Sequence, residues 1–244
     1  IKPYIINVLC NPRLSVCTNE NALISEIVVD KGIFEECVGA NMISVHDKYG
    51  IMECISVMEQ LIKSPLKQYL IPTLQRFVTS TLQTCAFIFH DMYINTLRVN
   101  KYLYVVEKMA CYAMKWAAKF GCVSDSLFMA MFFYKTFRHK EALSVIEMTK
   151  VKLAQPSLMY MFSIVVNPER YTEAVGGQSL SSKMRHAVAC DIPLFNDICY
   201  INELTPEQQS NSLNQIEVLI IPPFVLLHML ELSLIHISEP TRPL

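Results

Sequence analysis

The sequence predicts a mainly α-helical chain built from antiparallel helical hairpins. The strongest signal is the central stretch, residues 124–153, which reads as two helices joined by a tight bend at residues 137–139. The first helix, residues 126–137, is apolar on nearly every side, so other helices must surround it. The second helix, residues 140–153, places apolar residues at helical spacing on one face and charged residues elsewhere.

The spacing within this hairpin resembles a tetratricopeptide repeat, a helix-turn-helix unit of about 34 residues. Phe133 stands at the first-helix aromatic position, and Ala142 stands at the small position where the two helices cross. One such unit cannot bury its own faces, so neighbouring hairpins are implied. In that geometry the first-helix face receives a protein partner. The predicted partner-binding residues are Leu127, Met131, Tyr134 and Lys135.

Two further long helices precede the hairpin. One is predicted over residues 73–94, and the other over residues 101–120, which is the clearest amphipathic helix in the chain. Gly121 ends the second of them, and we expect the left-handed conformation that glycine commonly adopts at helix ends. Ser124 and Asp125 are the candidate N-cap residues of the next helix, since their side-chain oxygens suit unsatisfied backbone amides.

Domain organisation follows from these elements. Residues 1–50 are predicted to be the remnant of an upstream element, since they begin at Ile1 without an initiator methionine. Residues 51–231 form a helical, repeat-like domain, with an irregular insert of strand or loop character at about residues 155–212. The last segment, residues 232–244, contains LSLIHISEPTR, which resembles the translation of a sequencing adapter. We therefore predict an artefactual tail there.

The amino-acid composition limits the classes of protein to which this chain can belong. Hydrophobic residues make up 52% of the 244 residues, well above the fraction found in disordered chains. The formal net charge of −1 argues against direct nucleic-acid binding by this segment, because nucleic-acid binders are usually strongly basic. The nine cysteines are irregularly spaced and form no CxxC pair, so we expect buried reduced thiols in an intracellular, cytoplasmic protein.

The apolar run at residues 218–237 is long enough to suggest a membrane helix. Pro222, Pro223, His228 and Glu231 interrupt it. We therefore expect no membrane span.

Three local patterns suggest chemistry, and the structural interpretation is favoured for each. The AVGGQS segment, residues 174–179, is similar to the glycine turn of nucleotidyltransferases but lacks the paired carboxylates that hold Mg²⁺. His186 and Cys190 have zinc-ligand spacing, yet further ligands at familiar spacing are missing. A lysine stripe suits phosphate or an acidic partner helix, although a solvated face is the commoner role. The stripe is Lys101, Lys108, Lys115 and Lys119. We therefore expect no catalytic residue, metal site or cofactor.

Six strings give the chain a more specific resemblance. They are IMECISVMEQLI (51–62), KWAAKFGCVSD (115–125), YKTFRHKEALSVIEMTKVKLAQP (134–156), RYTEAVGGQS (170–179), INELTPEQQS (201–210) and IPPFVLLHMLE (221–231). Together they are similar to the carboxy-terminal helical region of the male-abnormal-twenty-one family, which includes cyclic GMP–AMP synthase and its sensor-like relatives. The likeness covers most of residues 51–231.

In that family a nucleotidyltransferase core comes first, and helical, repeat-like segments follow. The resemblance therefore implies that this chain lies after the catalytic core and is not itself an enzyme. No position matches the family's Gly-Ser turn, its paired carboxylates or the zinc pattern of the sensor, so no active-site residue is carried over.

Three functions remain open at this point. The first is a non-catalytic protein-interaction segment, linked through its parent to innate immune nucleotide signalling. Its partner would be a protein, a peptide or the parent's own upstream domain. The second is an accessory part of an active nucleotidyltransferase whose catalytic core lies upstream, and the third is a stand-alone tetratricopeptide-like scaffold. Fold likeness alone does not decide between them.

Overall fold

The computed structural model describes residues 22–39, 70–96, 100–161, 167–214 and 216–238, together with positions 56 and 60. Within these ranges the chain is mainly helical, which confirms the predicted fold class. The tetratricopeptide-like arrangement of the hairpins stays a prediction. Apart from positions 56 and 60, the first resemblance string lies outside the described residues.

The described helices and strands follow in chain order. The helices are α1 (Ala22–Gly39), α2 (Leu70–Thr96), α3 (Asn100–Phe120), α4 (Ser126–Lys135), α5 (His139–Leu153), α6 (Pro168–Val175), α7 (Leu180–Ala187), α8 (Thr205–Leu213) and α9 (Pro223–Ser238). The strands are β1 (Met159–Tyr160), β2 (Val188–Ala189), β3 (Ile192–Phe195) and β4 (Val218–Ile221). Strands β1 and β2 pair in parallel, whereas β3 and β4 pair antiparallel with Ile192 opposite Ile221.

Two pairs of successive helices organise the chain. Helix α2 packs chiefly on α3, and α4 packs chiefly on α5. Both members of the first pair match the predicted helices to within a few residues, because their apolar periodicity is sustained over many turns. Helix α9 then packs on both members of the second pair.

The bend between α4 and α5 lies where the sequence predicts it. The Phe137 N–H donates to the Tyr134 carbonyl at 3.1 Å, and the Arg138 N–H donates to the Phe133 carbonyl at 2.8 Å. These two bonds form a Schellman motif, which satisfies carbonyls left open at the end of a helix. Phe137 occupies its left-handed position with a φ of 58°, where glycine is usual, and its side chain is 84% exposed.

Gly121 has a different role from the predicted one. The left-handed conformation expected there is wrong, because Gly177 is the glycine with a positive φ among the described residues. A Cβ at Gly121 would instead lie 2.7 Å from Asp125 Cβ and 2.8 Å from Asp125 Cγ. Glycine is therefore required because the Asp125 side chain approaches the backbone too closely for any other residue.

Asp125 stands at the N-cap position of α4, but its carboxylate does not cap that helix. It accepts hydrogen bonds from the Cys122 N–H at 2.7 Å and from Gln83 Nε2 at 3.2 Å. The Arg76 guanidinium lies 2.6 Å from the same carboxylate, and both side chains are buried. Burial by itself lowers the pKa of Arg76, but the Asp125 charge outweighs it and raises that pKa. This buried ion pair joins α2 to the turn before α4.

The main hydrophobic core lies between α2, α3, α4, α5, β3 and α9. Its central aromatic contact is edge-to-face, with the ring centroids of Phe87 and Tyr200 4.7 Å apart. Ala142, at the predicted crossing of the two hairpin helices, is fully buried within this core. The other large, fully buried members include Phe132, Met114, Leu127, Met131, Ile146 and Leu153.

A second, smaller core lies beneath α1. Asp30 of α1 is 4% exposed and accepts hydrogen bonds from the Tyr171 hydroxyl at 3.0 Å and from Lys183 Nζ at 2.6 Å. These bonds tie α1 to α6 and α7. The segment predicted to be an irregular insert, residues 155–212, thus contributes to both cores. Its described residues, 155–161 and 167–212, include α6, α7 and most of α8 in addition to strands.

The apolar run near the carboxy terminus divides into two elements. Strand β4 ends at Ile221, and α9 begins at Pro223, where proline suits a first helical position. Across the described residues, we find no helix with the length and apolar character that a bilayer crossing demands. Helix α9 runs on to Ser238 and so includes part of the segment predicted to be adapter-derived.

Candidate functional site

Two of the four predicted partner-binding residues are not on a surface. Leu127 and Met131 each have 0% exposure and belong to the main core. Their accessibility was inferred from repeat geometry, and that inference is wrong because both side chains are enclosed by other residues of the main core. A partner cannot contact either side chain without unpacking the core.

The other two predicted residues are partly exposed but hold contacts within the chain. The Tyr134 hydroxyl donates to Glu203, and Lys135 Nζ donates to the Cys199 carbonyl. Burial, followed by the Glu203 carboxylate, raises the pKa of Tyr134 to about 12. Lys135 Nζ also lies 2.6 Å from Asp91 Oδ1. Both residues therefore fasten α4 to neighbouring elements.

Tyr134 and Lys135 line a cleft of about 370 Å³ together with Cys199, Glu203 and residues of the hairpin bend. His139, at that bend, has a buried Nδ1 with no hydrogen-bond partner among the described residues. Part of the cleft wall is Ile237, which belongs to the segment predicted to be adapter-derived.

The Lys135–Asp91 ion pair leads to a stability prediction with a pH dependence. Burial raises the pKa of Asp91, but hydrogen bonds from His90 and Lys135 outweigh burial and hold that pKa below its ordinary value. A carboxylate with a lowered folded pKa stabilises the fold above its unfolded pKa of about 3.9 and loses this effect as the pH falls. We expect Lys135→Met to lower the free energy of unfolding at pH 7 by about 1 kcal/mol.

Denaturant unfolding at pH 7 and at about pH 3 measures this effect, and the difference between the variant and the unsubstituted chain should narrow at the lower pH. Lys152→Met, at an exposed position on α5, is the matched control and should change little at either pH. An equal loss of stability at both pH values would show that the Asp91 charge is not the cause.

A surface on α3 combines three lysines of the predicted stripe, Lys108, Lys115 and Lys119, with exposed apolar and aromatic side chains. Between residues 104 and 120, nine residues are exposed, and at about 100° per residue they fall within an arc of about 160°. We call this arc the aromatic–lysine face. Its members are Tyr104, Val105, Lys108, Met109, Tyr112, Lys115, Trp116, Lys119 and Phe120. Six of them are large and apolar or aromatic, with exposures from 36% at Phe120 to 66% at Tyr104, and none is acidic.

The opposite side of α3 explains why this face points outward. Ala110, Met114 and Ala117 are at most 4% exposed, so this side of the helix carries the packing of α3 into the protein. Small and flexible side chains allow a close approach between helices, whereas the bulky aromatic residues stay outside. The helix is therefore apolar on two sides, and only one of them is covered within the described chain.

The aromatic–lysine face is partly ordered by its own contacts. The rings of Trp116 and Phe120 are stacked, with centroids 5.3 Å apart and planes inclined by 12°. Lys119 Nζ lies 5.1 Å from the Trp116 ring centroid, and Lys115 Nζ lies 5.9 Å from the Tyr112 centroid. Cation–π contacts at exposed sites contribute about 0.5–1 kcal/mol each. They hold flat rings and positive charges side by side.

A shallow cleft of about 260 Å³ opens beside this face. Lys108, Lys115 and Arg138 bring three cations to its wall, and the rings of Tyr104 and Tyr112 complete much of it. Arg138 is already paired, since its Nη2 lies 2.9 Å from Glu141 Oε1, and Glu107 also lines the cleft. The cleft thus offers two lysines and two phenols to a ligand.

Two buried cysteines, Cys122 and Cys190, lie on either side of Ser124. The Cys122 Sγ lies 3.2 Å from the Ser124 hydroxyl, which in turn accepts a hydrogen bond from the Cys190 N–H at 3.0 Å. A hydrogen bond with Cys122, followed by burial, raises the pKa of Cys190 well above its ordinary value. Both cysteines are at most 3% exposed, so neither thiol is accessible to solvent.

His186 and Cys190, the pair with zinc-ligand spacing, do not share a site. His186 is exposed near the end of α7, whereas Cys190 is buried beyond β2. Within the part of the chain that the structure describes, no group of three or more histidine, cysteine or carboxylate side chains is placed to hold a metal ion.

Comparisons with models of protein families, with curated proteins and with solved structures found no match for this chain.

Proposed function

We propose that this chain is a helical protein-interaction segment and that the aromatic–lysine face of α3 is its binding surface. The proposal rests on one observation. Six large apolar or aromatic side chains are exposed on one face of α3, although the opposite side of this helix is already packed into the protein. The solvent-facing side of a surface helix is ordinarily polar. An extended apolar patch of this kind typically marks a protein–protein contact.

The residue types also favour a protein partner. Aromatic residues and methionine are enriched in the centres of protein interfaces, and tryptophan and tyrosine frequently carry most of the binding energy. Trp116, at 48% exposure and stacked on Phe120, lies near the middle of the apolar part of the face. Its ring is held in place before binding, so little conformational freedom is lost when a partner covers it.

The six-string resemblance extends the proposal to the parent protein. It supports a segment that follows a nucleotidyltransferase core and serves innate immune nucleotide signalling, in an intracellular, cytoplasmic setting. The partner is then a separate protein or the parent's own upstream domain. Reading the parent transcript tests this part: a Gly-Ser turn and an Asp-x-Asp upstream would support it, whereas only further helical hairpins would favour a scaffold.

Trp116→Ala is expected to weaken partner binding roughly 10- to 100-fold, as loss of a central aromatic contact does. The change removes the ring stack with Phe120 and the cation–π contact with Lys119, so we expect the free energy of unfolding of the chain to fall by about 1–2 kcal/mol, a loss that leaves the fold intact. The measurement is photo-crosslinking from a benzophenone side chain introduced in place of Tyr112, with and without the Trp116→Ala change.

A benzophenone in place of Val151 is the matched control, since Val151 is 69% exposed but lies on α5, away from the proposed surface. The proposal requires a protein crosslink from position 112 that is absent from position 151 and is lost with Trp116→Ala. A crosslink to the parent's upstream region would identify an internal partner. Equal crosslinking from both positions would show that α3 has no special binding surface.

A further inference from the structure

We propose that the aromatic–lysine face binds an amphipathic helix that carries acidic residues along one edge of its apolar strip. This inference rests on the proposed function of the face and adds the chemistry of its partner. It is drawn from how the charges and rings are arranged on α3.

The face consists of two adjacent strips. At about 100° per residue, the three lysines fall together within an arc of about 40°, and the apolar side chains occupy the neighbouring arc of about 80°. The lysine strip is Lys108, Lys115 and Lys119, and the apolar strip is Val105, Met109, Tyr112, Trp116 and Phe120. Tyr104 borders the lysine strip on its other side. A complementary helix therefore needs an apolar strip with a negative strip beside it.

The lysine charges lack partners within the described part of the chain. Among the described residues, no carboxylate forms an ion pair with Lys108, Lys115 or Lys119. Lys115 lies over the Tyr112 ring and Lys119 over the Trp116 ring instead. Glu107 lines the neighbouring cleft but forms no ion pair with them. Like charges aligned on one strip repel each other, so an acidic strip on the partner would relieve that repulsion as it binds.

The cleft beside Tyr104 gives the acidic strip a specific place to dock. Lys108 and Lys115 supply ammonium donors and Tyr112 supplies a phenol around a volume of about 260 Å³. A carboxylate inserted there receives charge-assisted hydrogen bonds, which are stronger than neutral ones. The opposite edge of the partner then lies over the stacked rings of Trp116 and Phe120.

The dimensions suit a helix of ordinary length. From residue 104 to residue 120 the face extends for about 24 Å, which a partner helix covers with about 16 residues. A partner helix lying along α3 would extend the helical layer of α2 and α3, in the way that neighbouring elements bury faces in helical repeat proteins.

An acidic helix fits better than an anionic membrane or a nucleic acid. Three lysines contribute about 1 kcal/mol each at an anionic lipid surface. The chain as a whole has a formal net charge of −1, so no long-range attraction draws it to a polyanion. In a helix that contacts the face directly, a few acidic side chains lie close to the three lysines, and the attraction does not depend on the net charge of the chain.

The test uses the single tryptophan of the chain, which is Trp116. Burial of its ring by a partner shifts its fluorescence to shorter wavelength, so the full chain reports directly on this face. The probes are designed helical peptides of about 18 residues without tryptophan, sharing one leucine strip. The adjacent strip carries glutamate in the first peptide, glutamine in the second and lysine in the third.

We expect saturable binding of the glutamate peptide, at least about 10-fold tighter than the glutamine peptide, with the difference shrinking at high salt. A triple variant, Lys108→Glu, Lys115→Glu and Lys119→Glu, should reverse the preference and bind the lysine peptide instead. This reversal of peptide preference is the decisive result, because nonspecific binding to the apolar strip cannot produce it. Lys152→Glu on α5 is the control and should leave the preference unchanged.

Several outcomes would overturn the inference. If the glutamate and glutamine peptides bind equally well, the face binds apolar helices without charge selection, and the proposed function stands while the acidic partner is rejected. If no peptide shifts the Trp116 fluorescence, the proposal of an acidic partner helix is rejected. The crosslinking from position 112 is then the remaining test of the proposed function. A shift with phosphatidylserine vesicles or with a DNA duplex, but with no peptide, would assign the face to that other class of partner.

Discussion

Replacing Asp125 with alanine should lower the free energy of unfolding by about 3–5 kcal/mol. Asp125 and Arg76 are 1% and 4% exposed, so the substitution leaves the Arg76 charge buried without its partner. It also removes the acceptor for the Cys122 N–H, whose hydrogen bond measures 2.7 Å. Guanidinium chloride unfolding followed by far-UV circular dichroism measures the loss.

Two further variants separate the charge from the shape. Asp125→Asn keeps the size of the side chain and one oxygen, so it should cost less than alanine and should still fold. The double replacement Arg76→Met with Asp125→Leu should recover part of the loss, because exchanging a buried ion pair for apolar residues is frequently near neutral.

Glu147→Ala, at an exposed position on α5, is the control and should change the free energy of unfolding by no more than about 0.5 kcal/mol. If Asp125→Ala lowers the free energy of unfolding by no more than Glu147→Ala does, the Arg76–Asp125 ion pair does not stabilise the fold.

Leu127→Ala is expected to lower the free energy of unfolding by about 2–5 kcal/mol, because it opens a cavity in a well-packed core. Leu127 has 0% exposure and is surrounded by other members of the main core. The same change would have cost affinity and little stability if Leu127 lay on a partner-binding surface. Thermal or denaturant unfolding, together with the photo-crosslinking from position 112, distinguishes the two cases.

Val151→Ala is the control for this experiment, since it also shortens an aliphatic side chain but at a position that is 69% exposed. It should change stability by no more than about 0.5 kcal/mol. Full stability of Leu127→Ala combined with loss of a bound partner would restore the surface predicted from repeat geometry.

The helices were the part of the fold that local sequence could determine. Sustained apolar periodicity and the residues at helix ends predicted α2, α3 and the α4–α5 hairpin within a few residues of their observed bounds. These signals lie within one or two helical turns, so they can be interpreted without knowing which elements pack against the helix. The region from 155 to 212 was less predictable, because its short helices contain too few turns to establish an apolar periodicity. They are held by distant contacts such as the hydrogen bond from the Tyr171 hydroxyl to Asp30, which are 141 residues apart in the chain.

The candidate site required the tertiary structure, because periodicity shows that a helix face is apolar but not whether another element covers it. In α4 the tertiary packing buried Leu127 and Met131, which repeat geometry had placed at a surface. In α3 the lysine stripe indicated a solvated side, but only the packing shows that Trp116 and the aromatic residues beside the lysines are exposed as well. The Arg76–Asp125 contact spans 49 residues of chain, a separation over which a single sequence carries no pairing signal. The sequence by itself therefore determined where the helices are, and packing between distant segments decided which of their faces are free to bind.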